Sequence, residues 1–532
     1  MFRKLLSAET KTINSAAIIL AVSSFISGLL GLLRDRLLAC NFGAGNELDI
    51  YYAAFRIPDF VSMALIMGSI AAAVIPLFCE YLAKSEKDAW RFFANLLNSF
   101  LLLLAVLSAI LIVFVPQILS VIAPGFSGEK LDQTAALTRI MFLSPIILGI
   151  SNMISGVLRV FKKFVITSLS PILYNLGIIL GIVFLVPIFG LAGLAWGVVL
   201  GALLHLLIQM PALIGAGWKF DRTLDLKHPG LLKTIKLTLP RTIGLAAAQV
   251  NLIVITAIGS TLVAGSIAVF NLANNLQNLP VTFIGNSLST AAFPFLALYF
   301  SKNNRQKLAE EFASVFKNIL LLILPVALLT FVLRAQIVRI ILGSGRFSWG
   351  NTQLTAACLG LFSIGITAYA LNLLISKTFY AFHNTRIPAL AAILSIGVNA
   401  GLSFFFLWVF SFSNFFHDFI FSILDINGID GNLVAGLPLA LSLSGIFQLF
   451  LLLIWLKKEQ SEIKFAGLAK FFLKTCFGGI FLVAVAVLSR DLISSFVNMQ
   501  SFGGIFFQFA ASCLAGFAVY ISIGAALGLK KT

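Results

Sequence analysis

Apolar residues in this chain do not alternate with polar ones at a short period. They run in blocks of about 20, separated by short polar or charged turns, from one end to the other. Read in order, the blocks give helical spans at 13–33, 57–80, 95–122, 134–158, 165–188, 191–217, 238–260, 264–297, 315–342, 353–381, 386–410, 433–456, 466–488 and 504–528, fourteen in all. A hydrocarbon layer about 30 Å thick takes roughly 20 residues of helix to cross. Membrane strands are about ten residues long and alternate, so a β-barrel is excluded. The expected fold class is all-α, a polytopic membrane protein whose backbone polar groups are satisfied inside helices.

Composition agrees. Of 532 residues, 60% are hydrophobic and 11% charged, where a soluble domain carries about a quarter charged. The first block follows Arg3, Lys4 and Lys11 as a signal peptide would, but no A-x-A site follows and Arg34-Asp35-Arg36 comes next, so it reads as a retained helix. Cys40, Cys79, Cys358, Cys476 and Cys513 are scattered with no CxxC, which argues against a metal site and a disulfide framework.

The formal charge of +17 bears on orientation rather than on nucleic acid. With a cytoplasmic N-terminus, the cytoplasmic turns receive Lys84, Lys87 and Arg91; Arg159, Lys162 and Lys163; Lys219, Arg222, Lys227, Lys233 and Lys236; Lys302, Arg305 and Lys307; Lys377 and Arg386; Lys457, Lys458 and Lys464; and Lys530 with Lys531. The opposite turns hold Glu47, Asp49, Glu129, Asp132, Asp418, Asp425 and Asp430. Cations are retained on the cytoplasmic side, so both termini are expected there.

The chain also repeats itself. Pro76-Leu-Phe-Cys-Glu-Tyr81-Leu-Ala-Lys84 returns as Pro294-Phe-Leu-Ala-Leu-Tyr299-Phe-Ser-Lys302, displaced by 218 positions, and Phe93-Ala94 returns as Phe312-Ala313. Ser155, Phe161, Ile166 and Ile172 find Ser376, Phe382, Ile387 and Ile393 at a displacement of 221. This divides the chain into a six-helix lobe over 1–222, a second over 223–460 and a C-terminal helix pair over 461–532. An even helix number per half makes the repeat parallel, as in transporters whose two bundles rock about a central cavity. A duplicated scaffold without transport is the structural alternative.

Candidate chemistry concentrates where helix one passes into helix two: Ser27-Gly-Leu-Leu-Gly31-Leu-Leu-Arg34-Asp35-Arg36, then Asn41-Phe-Gly-Ala-Gly45-Asn-Glu-Leu-Asp49-Ile-Tyr-Tyr-Ala-Ala-Phe55-Arg56-Ile-Pro58. Ionisable residues at membrane depth are costly and are site candidates by default. Guanidinium forks would suit an anionic headgroup; in the plainer reading Arg34 and Arg36 snorkel outward and pair with Asp35 or Asp49. A second polar cluster, Asn274, Asn275, Gln277 and Asn278, lies one turn before Pro280. It reads as a kinked polar cavity wall or as interhelical hydrogen bonding alone.

The G-L-x-R-D of helix one, the F-G-A-G-x-x-x-D loop, the F-R-I-P opening helix two, and Ala291-Ala-Phe-Pro294 resemble the MurJ (MviN) family of lipid II flippases, within the multidrug and oligosaccharidyl-lipid exporter superfamily. The similarity runs over most of residues 15–460. The resemblance implies fourteen helices in two six-helix lobes plus a final pair shaping a lipid-facing groove. The implied substrate is the undecaprenyl-pyrophosphate-linked peptidoglycan precursor, moved from inner to outer leaflet by alternating access. Arg34, Asp35 and Asp49 match family positions implicated in function. Family arginines fall on Gly28, Ser62 and Asn275, and a family glutamate on Met67. Arg241, in Pro240-Arg241-Thr242, is a candidate replacement, the alternative being an arginine at the cytoplasmic interface.

No GxxxxGK[ST] phosphate loop occurs, so ATP hydrolysis is not expected. Between residues 226 and 417 the only acids are Glu310 and Glu311, which argues against a carboxylate-built sodium site there. Asp425-Ile-Asn427-Gly428-Ile-Asp430-Gly431 lacks the terminal glutamate of a calcium loop and reads as a turn. Just before it, Phe412, Phe415, Phe416, Phe419 and Ile423 suit a short interfacial helix. A monomeric transporter without cofactor or metal is expected, its partners being membrane lipids and an anionic polyprenyl-diphosphate lipid. Competing readings are an exporter of another polyprenyl-linked oligosaccharide or of drugs, a membrane glycosyltransferase, and a scaffold.

Overall fold

A computed structural model describes residues 13–63 and 74–529, with the side chains of 13–18 and 239–248 outside that description. Among the described residues there is no strand. Among the described residues, eleven continuous helical stretches are long and apolar enough to cross a membrane. The other three expected spans, 13–33, 57–80 and 238–260, run into residues outside the description.

The chain divides into two compact units. One holds the described residues of Met1–Leu38 and Gly45–Thr261; the other holds Ala39–Ala44 and those of Leu262–Thr532. In the first lie α1 (Ile13–Phe42, up to Leu38), α2 (Asn46–Val61), α3 (Ile75–Leu82), α4 (Glu86–Val113), α5 (Val115–Ile122), α6 (Gly128–Met141), α7 (Leu143–Val160), α8 (Phe164–Leu180), α9 (Val186–Phe189), α10 (Ala192–Leu207), α11 (Met210–Gly215) and α12 (Pro229–Ser260). The second contains α13 (Ser266–Pro280), α14 (Ser287–Ser301), α15 (Arg305–Val332), α16 (Arg334–Leu342), α17 (Trp349–Ala381), α18 (Arg386–Phe410), α19 (Phe415–Leu424), α20 (Gly436–Glu459), α21 (Phe465–Ser494) and α22 (Phe502–Ala526). The helix that the repeat makes first of the second half, α12, thus packs with the first unit.

The repeat is written in helix boundaries as well as in residues. α4 and α15 are both 28 residues long, start and end 219 positions apart, and are each followed by one non-helical residue and a short helix. Their N-caps, Ser85 and Asn304, each accept a hydrogen bond from the N–H three residues on. The apolar stretches Gly128–Val160 and Trp349–Ala381 are both 33 residues long and lie 221 apart. Lys162 and His383, also 221 apart, end those helices at φ +56° and +58°. The break after α4 has a cause in Pro116, which has no N–H to donate and crowds the preceding turn. After α15 no proline stands in the break; Arg334 instead donates to the freed Phe331 carbonyl at 2.9 Å.

Among the described residues, two π turns are complete from end to end. Pro280 at the end of α13 is followed by Val281–Asn286, and Gly181–Leu185 is followed by Pro187. A missing proline N–H lets the hydrogen-bond ladder slip by one residue, and such slips recur at functional sites. α19 forms where the aromatic periodicity predicts a short helix, with Phe415 85% exposed while Phe421 and Leu424 are buried.

Close contact of α8 and the π turn that continues it with α10 is set by glycine. A Cβ on Gly181 would lie 2.3 Å from the Gly197 Cα, and one on Gly177 the same distance from the Gly201 Cα. In lipid, where apolar side chains gain nothing by leaving the solvent, such backbone approach is a main source of helix association. Gly181→Val is therefore expected to destabilise the protein by about 1–3 kcal/mol, read as a lower unfolding midpoint in detergent; an unchanged midpoint would show that α8 and α10 do not meet there.

Candidate functional site

The first unit gathers most of the charged residues singled out from the sequence. Near the end of α1, Arg34 donates through Nε and Nη2 to Asp35 Oδ1, at 3.0 and 2.9 Å. Its remaining arm, Nη1, donates to Asn175 Oδ1 on α8 at 3.2 Å. Asn175 in turn donates to Ser27 Oγ at 3.1 Å, so a polar chain crosses from α1 to α8 and back. Arg34 therefore turns inward, onto one acid and one amide. Asp35 is buried and Arg34 mostly so, at 5% and 23% side-chain exposure.

Asp49 is not part of that pair. It is buried on α2 and meets Lys130 of α6 at 3.3 Å, while Lys130 also donates to Asn46 Oδ1 at 2.8 Å and sits 4.1 Å from the centre of the Phe126 ring. Arg56, one turn from the end of α2, is buried and donates from Nε to Thr256 Oγ1 of α12 at 2.7 Å. The Thr256 hydroxyl in turn donates a hydrogen bond to the Leu252 carbonyl at 2.8 Å, as a helical threonine commonly does.

A cavity of about 190 Å³ opens beside these residues within the first unit. Its polar wall is Asp59, Ser62, Ser144, Asn152 and Tyr174; Phe55, Pro58, Met141, Leu148 and Val198 are among the apolar residues that close it. Asp59 stands in the field of both Arg56 and Arg34. Ser62, where the family arginine of helix two falls, is on this wall. The sequence reading did not single out Asp59, although an acid directly after F-R-I-P inside an apolar span is the same kind of signal as Asp35. Asn175 and Thr256 carried no such signal, being neutral residues of the kind membrane helices hold in number.

The F-G-A-G loop has a steric reason for glycine. Gly43 sits at φ +65°, and a Cβ there would come within 2.9 Å of the Arg346 carbonyl; Arg346 N–H donates to the Cys40 carbonyl at 2.8 Å. Those contacts lie inside the second unit.

The amide cluster belongs to α13 of the second unit. Gln277 is buried and donates to Asn274 Oδ1 at 3.0 Å; Asn274 and Asn275 are half-buried and Asn278 is exposed. Gln277 Oε1 is buried without a hydrogen-bond partner, directly before Pro280 and the π turn. Arg241 lies on α12 among the residues whose side chains are outside the description. Among the described residues no group of three or more His, Cys, Asp or Glu is placed to hold a metal ion.

The sequence profile described as "Lipid II flippase MurJ" matches residues 38–509. A probable lipid II flippase MurJ of Buchnera aphidicola subsp. Acyrthosiphon pisum is 31% identical over 73% of this chain and 77% of its own. The lipid II flippase MurJ of Burkholderia cenocepacia is 28% identical over 70% and 75%. Among solved structures, a lipid II flippase MurJ in an inward closed conformation superposes with a TM-score of 0.77 at 24% identity, over 96% of this chain and 98% of that one. An inward-facing multidrug MATE transporter gives 0.65 at 14% identity over 84% and 99%, a likeness of fold.

The pairing of Arg34 with Asp35 is open to a direct test. Asp35→Ala leaves a largely buried guanidinium without its acid and is expected to cost about 2–3 kcal/mol, allowing for its partial exposure. Arg34→Met with Asp35→Leu should recover most of that loss in the same unfolding titration. A double variant as unstable as Asp35→Ala alone would mean the pair does not carry the coupling.

Proposed function

The chain belongs to the MurJ family of lipid II flippases, and from that premise we propose that it moves lipid II from the inner to the outer leaflet of a bacterial cytoplasmic membrane by alternating access. The observation that carries this reading is the Arg34 fork, held between one carboxylate and one neutral amide inside apolar helices. Asp35 fixes the orientation of the guanidinium. The bond to Asn175 joins a charge to a neutral acceptor and is the weaker side, so a phosphate oxygen can replace it at a net gain.

A diphosphate presents several anionic oxygens, and one fork does not neutralise them. Arg34 with Arg241 supplies two guanidiniums, and Arg56 a third if it exchanges Thr256 for the ligand. Asp49, Asn274, Asn275, Gln277 and Asn278 are the polar groups proposed for the sugar and peptide part, which needs hydrogen bonds more than charge. The substrate is thus an anionic polyprenyl-diphosphate lipid, and the chain works as a monomer with both termini cytoplasmic, as the basic turns indicate. Moving such charges through the membrane field is worth about 2.3 kcal/mol per charge per 100 mV, a source of bias that needs no nucleotide.

One observation favours a second reading, a transporter of another polyprenyl-linked oligosaccharide. Ser62 lines the cavity where the family has an arginine, so the first unit offers fewer cations to a diphosphate than that resemblance implies.

The expected outcome in vesicles is that Arg34→Ala with Arg241→Ala reduces lipid II translocation by at least about tenfold, since each charged contact is worth about 1.5–3 kcal/mol. Fluorescently labelled lipid II, made accessible to a quencher on one side, reads this directly. Undiminished flipping by the double variant rules out these arginines as headgroup ligands.

A further inference from the structure

Lys377 lies one turn inside the end of α17, in the second unit. A lysine that snorkels from a helix end extends along its own helix toward water. This one turns onto a neighbour instead. Its Nζ donates to Asn286 Oδ1 at 2.9 Å, to the Asn286 carbonyl at 3.4 Å and to Thr290 Oγ1. Asn286 is the last residue of the π turn after Pro280, and Thr290 sits one helical turn further, donating to the Asn286 carbonyl at 2.6 Å.

The three oxygens that meet this ammonium, two of Asn286 and one of Thr290, are all neutral. Salt bridges elsewhere in the described residues join Arg34, Lys130, Lys233, His417 and Arg490 to acids, but not Lys377. Of the acids on the helices packed against α17, Glu310 accepts from Gln306, Glu459 accepts from Asn384 at 3.0 Å and Asp418 pairs with His417. A half-buried cation without a countercharge is electrostatically incomplete, because neutral dipoles recover only part of its lost hydration. The 3.4 Å contact to the Asn286 carbonyl is at the edge of hydrogen-bond range, so one ammonium proton is weakly held. The same helical rod carries the amide cluster two to three turns earlier, so polar groups continue along it from Asn274 to Thr290.

We propose that Lys377, positioned by Asn286 and Thr290, is a phosphate-binding contact for the diphosphate headgroup of the transported lipid. It rests on the flippase reading and names a further cationic contact for that headgroup. Asn286 and Thr290 are positioning residues. They hold the ammonium without neutralising it, so that the first anionic oxygen to arrive completes the set.

The test is binding of a short-chain polyprenyl diphosphate to the full-length protein in detergent, with the matching uncharged polyprenol as control. Lys377→Met is expected to weaken diphosphate binding about tenfold, the loss of one charged hydrogen bond, and to leave polyprenol binding unchanged. Asn286→Asp, which supplies a countercharge and keeps the lysine, is expected to weaken it similarly; this second variant stands if the first fails to fold. Diphosphate binding at wild-type strength in both variants would overturn the Lys377 assignment while leaving the flippase reading intact. No diphosphate binding by the unaltered protein would remove the flippase reading and this inference together. Inorganic pyrophosphate should displace the lipid only at far higher concentration than the lipid itself; displacement at equal concentration would assign the cradle to a free anion and overturn the headgroup assignment.

Discussion

A cation among apolar helices must be met by oxygen, and which oxygen meets it decides what the cation can do. Arg34 is met by Asp35 and by Asn175, Arg56 by Thr256, Lys130 by Asp49 and Asn46. Where an acid answers, the pair is close to electrically complete and serves to fix geometry. Neutral amides or hydroxyls leave part of the charge's demand unmet, and an anionic ligand can supply the remainder. Arg34 stands on both sides of that distinction, its orientation fixed by Asp35 and its arm toward the neutral Asn175 open to an anionic ligand.

The scaffold around them follows from a second property of lipid, that it does not drive apolar helices together. Helix contact comes instead from glycine, as between α8 and α10, and from single hydrogen bonds across the helices, as from Tyr369 to the Leu441 carbonyl and from Asn372 to the Gly445 carbonyl. Each proline that interrupts a ladder leaves carbonyls that something else must satisfy. The π turn after Pro280 is one result, and the arginine that meets the Phe331 carbonyl in the break after α15 shows that a side chain can do the same work.

Much of this was readable from residue order. Hydrophobic blocks are long because the membrane is thick, and a duplicated chain keeps its helix lengths, so the span list and the repeat both appear before any coordinates do. The equal lengths of α4 and α15 sharpen the residue matches rather than replace them. Arg34, Asp35, Asp49 and Arg56 stood out because charge is rare in such segments. Their partners did not. Asn175 lies 141 positions from Arg34 and Thr256 lies 200 from Arg56, and neither periodicity nor composition relates residues so far apart. Lys377 was read only as one more cytoplasmic cation, since nothing in the order of residues says that its side chain turns toward α14. Asp59 carries the same signal as Asp35, an acid within an apolar span, one residue beyond the F-R-I-P motif.

The central claim is that this chain carries a diphosphate-linked lipid. Native mass spectrometry of the protein, purified in mild detergent from cells that make cell wall, tests it most directly. A retained adduct with the mass of a polyprenyl diphosphate bearing a disaccharide-peptide is the predicted result. Adducts consisting only of ordinary phospholipids, or of a polyprenyl monophosphate lipid, would contradict it.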